Sequence, residues 1–179
     1  MRYAILLDLE QCVGCEACTV ACKLDNRTSK SIKWGRIIEE ESGAFPDVTK
    51  IYAPMLCMQC ENPQCVEVCP TGASYRRPDG LVLVDPKKCM GCKFCIIACP
   101  YMERYTNPKG YVEKCDFCVD RLDEKQLPVC VETCPYGARI FGDLDDSESE
   151  ISRRMKSGKT VALKGEEIYR PRMRYLVTH

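Results

Sequence analysis

The sequence predicts an α+β fold made of two similar units, one nested inside the other, each built from short strands, cysteine loops and short helices. Three observations predict it. Sixteen cysteines stand among 179 residues and fall into four groups of four with none left over. Two of the groups share one spacing, C-x2-C-x2-C-x3-C. Short β-prone runs frame the cysteine loops in a recurring order, the mark of a divergent internal repeat.

Residues 3–7 form the first expected strand and lead into group one, Cys12, Cys15, Cys18 and Cys22. Residues 34–45 are an insertion, strand-like over 35–39, and Trp34, the only tryptophan, is expected in the core. A strand over 50–53 precedes group two, Cys57, Cys60, Cys65 and Cys69. The turn Pro78-Asp79-Gly80 opens a strand over 81–84 and then group three, Cys89, Cys92, Cys95 and Cys99. Group four, Cys115, Cys118, Cys130 and Cys134, is followed by a strand over 139–141. A helical turn is expected after each closing cysteine. Beyond Gly142 the cysteines stop: an acidic stretch over 143–150 precedes a helix on which Ile151 and Met155 share a face and which Gly158 ends. A strand over 160–163 and a basic, aromatic end over 169–176 complete the chain.

Composition narrows the chemistry. Basic and acidic residues balance at 26 each, which leaves no footprint for nucleic acid or an anionic membrane. The apolar run Tyr3-Ala4-Ile5-Leu6-Leu7 stops at Asp8, and no segment approaches the ~20 apolar residues of a membrane span. The start of the chain lacks the features of a secretory signal, so no export signal of its own is expected. Cysteine at about 9% without such a signal points to metal binding.

The spacing of groups one and three, with Pro100 after Cys99, is the run that holds iron–sulfur clusters in bacterial-type ferredoxins. Two-residue gaps let one tight loop place three sulfurs around a cubane, while the fourth cysteine, about one helical turn on, reaches a neighbouring cluster. Group two widens one gap to Glu61-Asn62-Pro63-Gln64, and group four inserts eleven residues, Val119 to Val129. Both keep the closing C-x3-C-P, and loop insertions cost little to close. Eight disulfides would also consume sixteen thiols, but triples at two-residue spacing leave no sensible pairing. Zinc sites usually bring two C-x2-C pairs from separate strands, not three cysteines in one loop.

Four [4Fe–4S] clusters are therefore expected, paired by the fourth-cysteine rule. Groups two and three are separated by twenty residues from Cys69 to Cys89 and form one pair, leaving groups one and four for the other. Cluster 1 takes Cys12, Cys15, Cys18 and Cys134; cluster 2 takes Cys57, Cys60, Cys65 and Cys99. Cluster 3 takes Cys89, Cys92, Cys95 and Cys69; cluster 4 takes Cys115, Cys118, Cys130 and Cys22. Residues 49–101 are then the inner unit, 1–48 with 102–142 the outer unit, and 143–179 an extension expected to act as an interface or strap. Each oxidised cubane with its thiolates carries about −2, so four add about −8 to a formally neutral chain, and buried anions need compensation. Lys23, Lys87, Lys88, Lys93, Lys114 and Arg121 lie near ligand cysteines and are candidates, set against the reading of ordinary surface charges. No catalytic residue is expected: the single histidine is His179, and every cysteine is assigned as a ligand.

The segments DLEQCVGCEACTVACK, CMQCENPQCVEVCPTGA, GLVLVDPKKCMGCKFCIIACPY and YVEKCDFCVDRLDEKQLPVCVETCPYGA, with the closing Arg170-Pro171 and Tyr175-Leu176, resemble the iron–sulfur subunits of the dimethyl-sulfoxide-reductase family, polysulfide and thiosulfate reductase type. The resemblance covers nearly the whole chain. It implies an electron-transfer subunit beside a large molybdenum- or tungsten-pterin catalytic subunit, with a membrane quinone-reactive subunit or a soluble carrier as the second partner. It also implies assembly in the cytoplasm and work either there or, by co-export with the catalytic subunit, on the outer face of the membrane. Two other readings stay open: a free polyferredoxin shuttle, or the four-cluster subunit of a cytoplasmic formate-, hydrogen- or aldehyde-linked enzyme.

Overall fold

The computed structural model describes residues 1–177; His179 lies outside them. Strand β1 (Tyr3–Asp8) leads into α1 (Ala17–Asp25), which carries Cys18 and Cys22 one turn apart. Strands β2 (Gly35–Ala44) and β3 (Asp47–Leu56) pair in register from Gly35–Leu56 to Ala44–Asp47. This ribbon is longer than the strand-like stretches over 35–39 and 50–53. Its outer half is exposed on both faces, so it lacks apolar alternation, and cross-strand ion pairs of Lys50 with Glu39 and Glu41 stand in its place.

The middle of the chain runs α2 (Gln64–Glu67), β4 (Ser74–Arg76), β5 (Val82–Val84) and α3 (Phe94–Ile97). Strands β6 (Tyr105–Thr106) and β7 (Val112–Glu113) follow, then α4 (Val119–Asp123), α5 (Val129–Glu132) and β8 (Arg139–Asp143). The hairpins β4–β5 and β6–β7 bring in β4, β6 and β7, three strands too short to show a pattern in sequence. Helix α6 (Glu150–Ser157) is capped by Ser149, whose Oγ accepts from the Ser152 amide at 3.3 Å, and Gly158 ends it. The strand expected over 160–163 shortens to β9 (Thr160–Val161), followed by α7 (Glu166–Tyr169) and β10 (Met173–Leu176).

The main sheet has the order β8-β1-β10-β9. β1 is antiparallel to β8 (Leu7 opposite Arg139) and parallel to β10 (Ile5 opposite Met173). It is a central strand covered on both faces, which explains its unbroken apolar run. Ile5 and Leu7 join a core with Leu56, Met58, Leu81, Phe117, Met173 and Tyr175; Ala4 and Leu6 pack on the other face with Ile140, Ile151 and Leu176. Trp34 packs against the first core, and its Nε1 donates to Glu113 at 3.3 Å.

Two packing relations position the cysteine loops. β1 lies on β8 and α1 on α5, which joins the first and last cysteine regions. β4 lies on β5 and α2 on α3, which joins the second and third. The C-terminal segment also grips the group-two loop through its backbone. Arg172 N donates to Met58 O, Glu61 N to Arg170 O and Asn62 N to Tyr169 O, at 3.0, 3.0 and 3.1 Å.

Candidate cluster-ligating sites

The four cysteine loops share one backbone device. The second residue after each first cysteine is left-handed: Gly14 (φ 70°), Gln59 (φ 45°), Gly91 (φ 73°) and Phe117 (φ 62°). Such a residue turns successive amides toward the concave side of the loop and makes a nest for negative charge. At Gly14 glycine is also required sterically, because a Cβ there would meet the Tyr52 ring at 2.3 Å. The chain leaves three of the sites alike: Gly72, Met102 and Gly137 are left-handed, each three residues past a closing cysteine.

Three small cavities lie under these loops. One is lined by Cys12, Cys15, Cys18 and Cys134. A second is lined by Cys57, Cys60, Cys65 and Cys99. A third is lined by Cys69, Cys89, Cys92 and Cys95. The remaining thiols also neighbour one another: Cys22 interacts with Cys118 and Cys130, and Cys115 with Cys22 and Cys130. Asn26 Nδ2 lies 3.5 Å from Cys22 Sγ and 3.7 Å from Cys118 Sγ. Each set thus takes three cysteines from one group and a closing cysteine from another. Among the described residues no three His, Cys, Asp or Glu are close enough to share one metal ion. The thiols instead stand around a space, the donor arrangement a polynuclear iron–sulfur body requires.

Burial holds several of the thiols above their ordinary range. Burial pushes Cys22 up to about 12 and Cys118 to about 11, and raises Cys12, Cys60, Cys65, Cys95 and Cys130 as well. Cys115 is buried and is raised well above its ordinary value by the same cause. At Cys69 burial also raises the thiol, but hydrogen bonds from the Ser74 amide, the Thr71 hydroxyl and the Thr71 and Ala73 amides outweigh it, and the shift is down. Deprotonation of such sets is coupled to the arrival of iron.

The sets are strung in a row. Arg139 lines the cavity of Cys12, Cys15, Cys18 and Cys134 and acts electrostatically on Cys130, linking the set of Cys12 to the set of Cys115. Cys115 in turn interacts with Cys57, and Arg104 reaches both Cys65 and Cys95. Cys15 and Cys92, at the two ends of the row, are exposed, whereas Cys115 and Cys118, in the middle, are buried.

The charges near the thiols differ from those expected. Lys23 is spent on the carbonyls of Ser29 and Ile32, at 2.6 and 2.9 Å. Arg121 pairs with Asp25 and Glu132, and Lys87, Lys88 and Lys93 are exposed. Of the six candidates only Lys114 is buried, and its ammonium donates to Val82 O and Cys115 O. Sequence reading missed Arg104 and Arg139. Their signal was positional: each stands five residues past the closing cysteine of a Cys-Pro-Tyr run.

Comparison with known proteins bears on the same residues. Two models of a 4Fe-4S dicluster domain match, over residues 48–144 and 11–73. The chain is 42% identical to a tetrathionate reductase subunit of Salmonella typhimurium, over 98% of this chain and 72% of the relative. It is 44% identical to the thiosulfate reductase electron transfer subunit PhsB of Salmonella typhi, over 82% and 79%. It is 36% identical to the arsenate respiratory reductase iron-sulfur subunit ArrB of a Shewanella strain, over 98% and 96%. The dicluster matches and the sixteen cysteines fit four [4Fe–4S] clusters. No helix among the described residues is long and apolar enough to cross a membrane.

Proposed function

The chain belongs to the 4Fe-4S dicluster iron–sulfur subunits of molybdopterin oxidoreductases, and from that premise we propose that it carries electrons between a molybdenum- or tungsten-pterin catalytic subunit and a second redox partner. That partner is a membrane quinone-reactive subunit or a soluble carrier. The single observation that carries the reading is the row of four-thiol sets with an exposed cysteine at either end. When bound, [4Fe–4S] clusters take up and release single electrons. In this reading Cys12, Cys15, Cys18 and Cys134 hold one cluster, and Cys22, Cys115, Cys118 and Cys130 its neighbour. Cys57, Cys60, Cys65 and Cys99 hold the third, and Cys69, Cys89, Cys92 and Cys95 the fourth. The cavities lined by three of these sets, and the β1–β8 and β4–β5 pairings, support this nested assignment. The chain's own residues keep water from the inner sets, fix the thiols and supply amides; no residue is assigned to substrate chemistry.

The protein is taken to assemble in the cytoplasm and to work there, or on the outer face of the membrane when the catalytic subunit is co-exported. A free-standing shuttle is the second reading, in which the exposed Cys15 and Cys92 would face diffusing partners. Anaerobic purification of the tagged chain from its own cells separates the two. The main reading predicts a large pterin-containing subunit at about equal stoichiometry, with reductase activity only in the complex. A fully loaded chain that is recovered alone, or that reduces an oxyanion without a partner, contradicts it.

A further inference from the structure

Two arginines outside every ligand motif lie between neighbouring thiol sets. Arg104 is 4% exposed, and its Nη2 donates to Cys65 Sγ and to Ser74 Oγ, both at 2.8 Å. The same side chain lines both the cavity of Cys57, Cys60, Cys65 and Cys99 and the cavity of Cys69, Cys89, Cys92 and Cys95. Arg139, 5% exposed, lines the cavity of Cys12, Cys15, Cys18 and Cys134, and its charge is also felt at Cys130. Cys65 and Cys95 belong to different sets, as do Cys18 and Cys130. All four are the third cysteine of their group, and both arginines follow Cys-Pro-Tyr at the same distance. The internal repeat has therefore built one device twice.

The energetics say what the device is for. A buried guanidinium is costly unless anions surround it. Neutral thiols do not meet that need, and Arg104 Nη1 is buried with no hydrogen-bond partner. Bound iron–sulfur groups would supply negative charge on both sides of the guanidinium, and each one-electron reduction adds one more negative charge. A fixed cation favours that added charge on either side.

We propose that Arg104 and Arg139 are inter-cluster cations: each lies between two adjacent clusters, stabilises the reduced form of both, and so keeps both potentials high. This rests on the ligand assignment above. A cation shared by two neighbouring clusters raises both potentials together, and its loss lowers both.

The test is potentiometric EPR on the anaerobically purified complex, after iron and acid-labile sulfide have been counted. Arg104→Gln is expected to shift the clusters of Cys57 and Cys89 toward the oxidised form by at least tenfold in equilibrium, about 59 mV for a one-electron couple. The clusters of Cys12 and Cys115 should stay put; Arg139→Gln should give the reverse pattern. Arg104→Lys keeps the charge and should leave all potentials within about threefold. A Gln variant that retains all its iron with unshifted potentials overturns the proposal, as does a Lys variant shifted tenfold. If Arg104→Gln does not assemble, the Lys variant still decides. A wild-type chain with less than its full iron would instead refute the ligand assignment.

Discussion

Replacing Cys22 with serine is expected to remove the cluster held by Cys115, Cys118 and Cys130 and to spare the one held by Cys12, Cys15 and Cys18. Cys18 and Cys22 sit on the same helix, four residues and about 6 Å of rise apart. That rise carries the second thiol out of its own loop and toward Cys118 and Cys130. Cys134→Ser should do the converse, because Cys134 lines the cavity of Cys12, Cys15 and Cys18. Each variant should hold about twelve irons in place of about sixteen, with a different cluster missing from the EPR spectrum. The two lost signals identify the nesting. Loss of the same signal from both variants would mean that groups one and four do not exchange their closing cysteines.

Deleting everything after Gly165 is expected to cost at least one cluster and most of the partner binding. The deletion removes α7 and β10, and with them Met173 and Tyr175 from the core beside β1. Truncation of one such buried side chain typically costs about 2–5 kcal/mol, a large share of a domain's stability. The deletion also removes the three backbone hydrogen bonds that hold residues 58–62, and Tyr169 from the wall of the Cys57 cavity. The Cys57 cluster should therefore be lost first. Iron content, thermal unfolding and co-purification with the catalytic subunit measure the effect. A truncated chain with full iron, unchanged thermal stability and unchanged partner binding would show that the tail is neither strap nor interface.

The ligand chemistry was legible in sequence because iron–sulfur loops are local: a cysteine every third residue and a proline after the closing one can be read without a fold. The apolar run of β1 was legible for the same reason. What closes the sheet was not. β10 comes from a basic, aromatic segment whose Arg170, Arg172 and Arg174 hide the strand character of Met173, Tyr175 and Leu176, and it pairs with a strand some 170 residues away in sequence. The distal β2–β3 ribbon was half missed because solvent on both faces removes the alternation on which a strand is recognised. Of the six candidate cations, Lys87, Lys88 and Lys93 follow the reading of ordinary surface charges and Lys114 is buried, because nearness in sequence is not nearness in space. Lys93 adjoins Cys92 yet is exposed, while Arg104 lies 39 residues from the Cys65 thiol it touches. The repeat itself held the better signal, since Cys-Pro-Tyr followed at the fifth position by arginine occurs twice.

The central claim is that the sixteen cysteines hold four cubanes, and metal analysis of anaerobically purified protein tests it most directly. The ligand sets predict about sixteen irons and about sixteen acid-labile sulfides per chain, with no stoichiometric zinc. About four zincs per chain and no acid-labile sulfide would contradict it.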